Sequence, residues 1–179
     1  MSIYYTGCAT SIVPPSCSDC PPKELGGVRS IWLQKESYVW TDITDPNEWA
    51  TAVCAGDVLL FPKTRGSVEV AETTSTGFGD NTLSIDGFDF TATVTEPNLD
   101  NCATWKSLRG NLGYLLGLRT QSKVWLSDKT VSISPTIPIA EDIKSGVFNM
   151  VKFTWAQEDP ICPVDMPVGV FEACFACAV

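Results

Sequence analysis

Histidine is absent from this 179-residue chain. That absence excludes a Ser-His-Asp triad, a Cys-His dyad and every histidine-ligated zinc, iron or copper site. Any metal would have to rest on cysteines and carboxylates. Basic residues are scarce: 12 Lys and Arg stand against 21 Asp and Glu, a formal net charge of −9. The few that occur are scattered, so the basic stripe that neutralises phosphates is missing and tight nucleic-acid binding is not expected. An acidic wall would instead repel DNA and let it slide. No apolar run approaches about 18 residues, so no membrane-spanning helix is expected. The opening MSIYYTGCATSIV has neither the basic nor the apolar region of a signal peptide. Synthesis and folding in the cytoplasm are therefore the expectation. Internal repeats and low-complexity tracts are also missing.

What is present suits one globular domain carrying extended arms. With 44% hydrophobic and 18% charged residues the chain is apolar enough to bury a sizeable core. Residues 1–27 read as an N-terminal arm, because Pro14-Pro15 and Pro21-Pro22 oppose both helix and central strand. A first strand is expected over Val28–Leu33. Asp45 looks like a helix N-cap, with Pro46 at the first helical position and Glu48 placed for a capping box; Gly56 keeps that helix short. Val58–Phe61 and Ser67–Thr74 are strand-like. Between residues 81 and 96 the apolar alternation changes parity at Asp86-Gly87, from Leu83 and Ile85 to Phe88, Phe90, Ala92 and Val94. A β-bulge in one long strand explains the change better than an Asp-Gly hairpin, which would leave a very short first arm. A helix near residues 100–111, capped by Asp100 or Asn101, would present Cys102, Trp105, Leu108 and Leu112 on one side. Strands are then expected over Tyr114–Arg119, Lys123–Ser127, Val131–Ile139 and Val147–Ala156, the last with Asn149 breaking its apolar parity. Strands with one buried side predict a mainly β fold: an antiparallel β-sandwich or partly closed barrel over 28–156, with one flanking α-helix. Residues 157–179 read as a C-terminal arm rich in Cys and Pro.

Two C-x-x-C pairs, Cys17/Cys20 and Cys174/Cys177, bracket the chain. Together they supply the four thiolates of a tetrahedral zinc site. Their contexts, Pro-Pro after the first and Ala-Val after the second, fit buried thiols better than a zinc knuckle. A thioredoxin-like role would need a helix opening at the motif, which Pro21-Pro22 and the apolar tail oppose. Cys8, Cys54, Cys102 and Cys162 add further pairing partners, so no disulfide is assigned. Four acidic groups offer paired carboxylates or calcium ligands: Asp42/Asp45/Glu48, Asp86/Asp89, Glu141/Asp142 and Glu158/Asp159. Their spacing is that of caps and turns. Gly77-Phe78-Gly79-Asp80-Asn81 lacks the Lys and the helix of a phosphate-binding loop and reads as a turn. Trp32, Trp105, Trp125 and Trp155 fall on strand or helix faces where core or interface packing is expected. No catalytic residue, cofactor or metal is expected, and the chain reads as a non-enzyme.

The succession of a long bulged strand (NTLSIDGFDFTATVTE), a helix (NCATWKSL), short strands, and a final strand ending Trp155-Ala156-Gln157 resembles structural proteins of tailed bacteriophages. It is most similar in layout to tail tube subunits, over about residues 28–160. The resemblance implies a β-sandwich with a flanking helix, hexameric rings that stack, and an inner sheet lining a channel through which DNA passes without being gripped. It places strand 81–96 on the inner wall, and loop 62–80 and both arms against neighbouring subunits or other virion proteins. It implies a virion location after assembly in the host cytoplasm, with no membrane partner. Head–tail connectors, tail terminators and capsid decoration proteins share enough of this layout to be alternatives. A small binding module with a four-cysteine zinc clamp is the alternative of another class, and a carboxylate-based hydrolase the weakest.

Overall fold

The structure, a computed structural model, describes residues 27–76, 83–136, 147–165, 167 and 169–171. In chain order these hold β1 (Ser30–Lys35), α1 (Pro46–Ala55), β2 (Val58–Phe61), β3 (Arg65–Thr76), β4 (Leu83–Glu96), α2 (Cys102–Leu108), β5 (Tyr114–Arg119), β6 (Lys123–Leu126), β7 (Ser132–Thr136), β8 (Asn149–Gln157) and β9 (Val164–Asp165). A 3-10 turn at Leu99–Asn101 leads into α2. The strands form a five-stranded sheet of order β2-β1-β5-β6-β9 and a four-stranded sheet of order β3-β4-β8-β7. All pairings are antiparallel. Neither sheet closes on itself, so of the two expected forms the sandwich is the one found.

The main core lies between the sheets. Ile31, Leu33 and Leu116 of one meet Ala92, Val94, Val151 and Phe153 of the other, all essentially inaccessible to water. Strict alternation on β8 is the clearest case, with every second residue from Asn149 to Gln157 buried. The side chains of α2 close one margin of this core: Trp105 stacks on Phe61 with centroids 4.2 Å apart.

The five-stranded sheet is covered on its second face as well. Trp32 points away from the main core into a cluster with Trp49 and Ala52 of α1, Val58, Val124 and Phe171. Trp32 and Trp49 meet edge to face at 5.0 Å. Burial on both sides explains why Ser30–Leu33 reads as an unbroken buried run rather than as an alternation. Gly117, directly opposite Trp32 in the β1–β5 ladder, makes room for the indole: a Cβ there would lie 1.8 Å from the ring.

The bulge is where the change of parity placed it. Thr73 pairs with Gly87 and Thr74 with Ile85, so Asp86 is the extra residue of β4. Two local expectations are corrected. The second helix ends at Leu108, not near Asn111, because Arg109 is extended (ψ 122°) and Gly110 is left-handed (φ 72°); Leu112 is 61% exposed. Asn101 holds the N-cap position of α2 but its side chain makes no capping bond; the capping bond is one turn earlier, where the Asn98 side chain accepts from the Asp100 N–H. For α1 the cap is Asp45, accepting from Asn47 N at 2.9 Å, and left-handed Gly56 ends the helix.

Candidate functional site

The outward face of the four-stranded sheet is its most distinctive surface. Most apolar residues of β4 and β8 turn inward, and the alternate residues face out: Thr91, Thr93 and Thr95 on β4, and Met150, Lys152 and Thr154 on β8. β3 adds Ser67 and Thr73, and β7 adds Ser132, Ser134 and Thr136. These residues are exposed or half-buried. The result is a hydroxyl-rich sheet face. Its described charges balance, Arg65 and Lys152 against Glu69 and Asp89. Asp89 accepts a hydrogen bond from Thr73 Oγ1 at 3.2 Å across the strands.

A second feature lies where the sandwich is open. Inward-facing residues of β3 and β4, with Leu118 of β5 and Trp125 of β6, line an apolar groove of about 460 Å³. Val28, Val70, Phe88, Leu118, Trp125 and Ile161 form its wall. Val70 is 55% exposed although its parity is that of the core.

The third feature is polar and buried. Glu96, the last residue of β4, is 3% exposed. Its carboxylate accepts from Asn101 Nδ2, from Trp105 Nε1 at 2.5 Å and from Asn149 Nδ2 at 3.4 Å. Asn149 Nδ2 also donates to the Asn98 carbonyl at 2.7 Å. These partners are N–H donors, which suit a fixed carboxylate that ties β4, β8 and α2 together. Sequence reasoning did not anticipate this cluster. Its one signal was Asn149, the break in the apolar parity of β8.

No protein-family model matches the sequence, and no curated protein matches it.

Asp42, Asp45 and Glu48 have local hydrogen-bonding roles. Asp42 Oδ1 accepts from Thr44 N at 2.9 Å and Thr44 Oγ1 at 2.6 Å. Those bonds, the hydroxyl first, hold its carboxyl below the usual range. Glu48 does not close a capping box onto Asp45. It accepts instead from Thr41 N at 2.7 Å, Asp42 N at 2.8 Å and Tyr38 Oη at 3.2 Å. The Thr41 N–H contributes most to lowering its pKa. Tyr38 is pushed up, by burial first and by Glu48 second. Asp86 is the bulge residue, and Glu141, Asp142 and residues 77–82 lie outside the described set. So do Cys17, Cys20, Cys174 and Cys177. Cys54, in the last turn of α1, is disulfide-bonded, whereas Cys102 and Cys162 are free thiols. Among the described residues no group of three or more Cys, Asp or Glu side chains converges as a metal site. Also among them, no helix is long and apolar enough to cross a membrane. Trp32, Trp105 and Trp155 are core residues, and Trp125 lines the groove.

Proposed function

We propose that the chain is a non-enzymatic virion protein of a tailed bacteriophage. In this reading it is a tail tube subunit whose rings, expected to be hexameric, stack into a conduit for DNA. The observation that carries the reading is the open face of the four-stranded sheet. A conduit wall must stay hydrated and must not hold phosphates. Threonine and serine hydroxyls on a rigid sheet meet both demands, and among the described residues of the face two cations are equalled in number by two carboxylates. Charge balance, rather than an acidic surplus on this face, makes the wall slippery. The bulged strand β4 lies in the middle of that wall, and the five-stranded sheet with α1 forms the outer layer. Assembly takes place in the host cytoplasm, and the finished protein resides in the virion.

Sedimentation of the purified full chain over a range of concentrations tests this. Ring-sized species that grow into longer stacks are expected, and a monomer at every concentration would overturn the reading. Closed rings that never stack favour a connector or terminator, since related folds serve both roles. A Thr91→Lys variant reports on the face itself. Assembly should persist, because nothing docks on a channel wall, while DNA retention at low salt should rise. Loss of assembly would assign the face to a subunit contact.

A further inference from the structure

We propose that Lys152 makes the open face's contact with DNA, one ion pair per subunit between its ammonium and a phosphate of the duplex backbone. This rests on the conduit reading and names the group through which the wall meets its cargo. Lys152 is exposed in the middle of β8, and β8 lies inside the sheet between β4 and β7. Its direct cross-strand partners are Thr93 and Ser134. The row on one side of it is Thr91, Thr154 and Ser132, and the row on the other is Thr95, Met150 and Thr136. Seven of the eight positions around this lysine therefore carry a hydroxyl, the eighth is Met150, and none is a carboxylate.

The ordinary reasons for a lysine in a sheet do not apply at this position. Edge protection is not needed, because β8 is paired on both sides. Cross-strand ion pairing is out of reach. Among the described residues of the face the carboxylates are Glu69 and Asp89. Glu69 lies two strands and one row from Lys152, and Asp89 one strand and two rows, about 12 and 14 Å at ordinary strand spacings. The ion pairs formed among the described residues are elsewhere, Lys35 with Asp57 and Lys123 with Asp165. The ammonium is a compact charge with three donors and no acceptor, and the hydroxyls around it can donate as well. Lysine with serine and threonine is the donor set that meets phosphate oxygens without reading bases. Charge complementarity thus selects a polyanion. The net charge of −9 opposes any wider contact, so the pair forms with one phosphate and breaks as the duplex moves. In a ring the same lysine recurs in every subunit, and the duplex is met alike from all sides.

The test is a salt titration of the full chain against a short fluorescent DNA duplex, read by anisotropy. The wild-type chain should bind weakly at low salt. Lys152→Gln, a change at an exposed position that keeps the fold, should lower affinity about threefold or more. It should also flatten the slope of log K against log salt by about 0.9, equally for two duplexes of unrelated sequence. Lys106→Gln, on α2 rather than on the sheet, should leave both quantities unchanged. Absence of binding by the wild-type chain, an unchanged slope in Lys152→Gln, an equal loss in Lys106→Gln, or a loss that depends on sequence would each overturn the proposal. Sedimentation of the same proteins makes the two readings fail separately. Rings or tubes whose DNA binding ignores Lys152 refute the contact alone. Binding through Lys152 by a chain that stays monomeric refutes the tail tube reading alone.

Discussion

Gly117 and Trp32 show how much one residue can decide. The indole of Trp32 occupies the space where any side chain at 117 would begin, and both sit in ladders that cannot move apart without breaking the β1–β5 pairing. Gly117→Ala is therefore expected to cost about 3 kcal/mol or to prevent folding, read as a fall in the urea midpoint. A change below about 0.5 kcal/mol would show that the packing yields. Glu48 and Asp42 set a pH dependence at the same scale. Both have lowered pKa values in the fold, so the unfolded chain takes up protons at higher pH. Their contribution is complete above the ordinary carboxylate range and is lost as pH falls through it toward the lowered values. The thermal midpoint should decline between about pH 5 and pH 3, and Glu48→Gln should flatten that decline. An identical slope in the variant would show that these hydrogen bonds do not matter. Asp42 is exposed and Glu48 only half-buried, so solvent screening keeps the effect small.

At the scale of elements, periodicity was the legible part. Alternation found β4, β8 and the short strands, and the parity change found the bulge, because a two-residue period turns one inserted residue into a visible shift. The Asp45-Pro46 signature located α1 because cap chemistry is local. The end of α2 was not legible: Trp105 and Leu108 fit a helical face that Leu112 also fits, and only backbone geometry at Arg109 and Gly110 stops it. β9 was not legible either, since its 2 residues pair with β6 through tertiary placement rather than pattern. Of the three surface and buried features, the hydroxyl face followed from the parity of β4 and β8. The groove is lined by residues of both sheets that tertiary placement brings together, which no local pattern encodes. The Glu96 cluster joins residues 53 apart in sequence. It leads to a prediction at this scale. Asn149→Val would perfect the apolar alternation of β8 yet remove a donor from Glu96 and from the Asn98 carbonyl. We expect destabilisation of about 1–3 kcal/mol in chemical denaturation. A more stable variant would mean the network contributes nothing.

At the scale of the molecule, the architecture divides labour between faces. The five-stranded sheet is sealed by α1 on one side and by the second sheet on the other, leaving the four-stranded sheet with one face open to water. That asymmetry, one open hydroxyl-rich face opposite a sheet covered on both sides, is the observation on which the proposed tail tube reading rests. The proposed reading requires no metal, so removing metal should leave assembly intact; a zinc clamp would behave in the opposite way. The most direct measurement is electron microscopy of the concentrated full-length protein, with and without a chelator. The account predicts stacked rings or tubes under both conditions, with a central channel faced by the β3-β4-β8-β7 sheet. Monomers that unfold when metal is withdrawn, or tubes whose channel is lined by the five-stranded sheet, would contradict it.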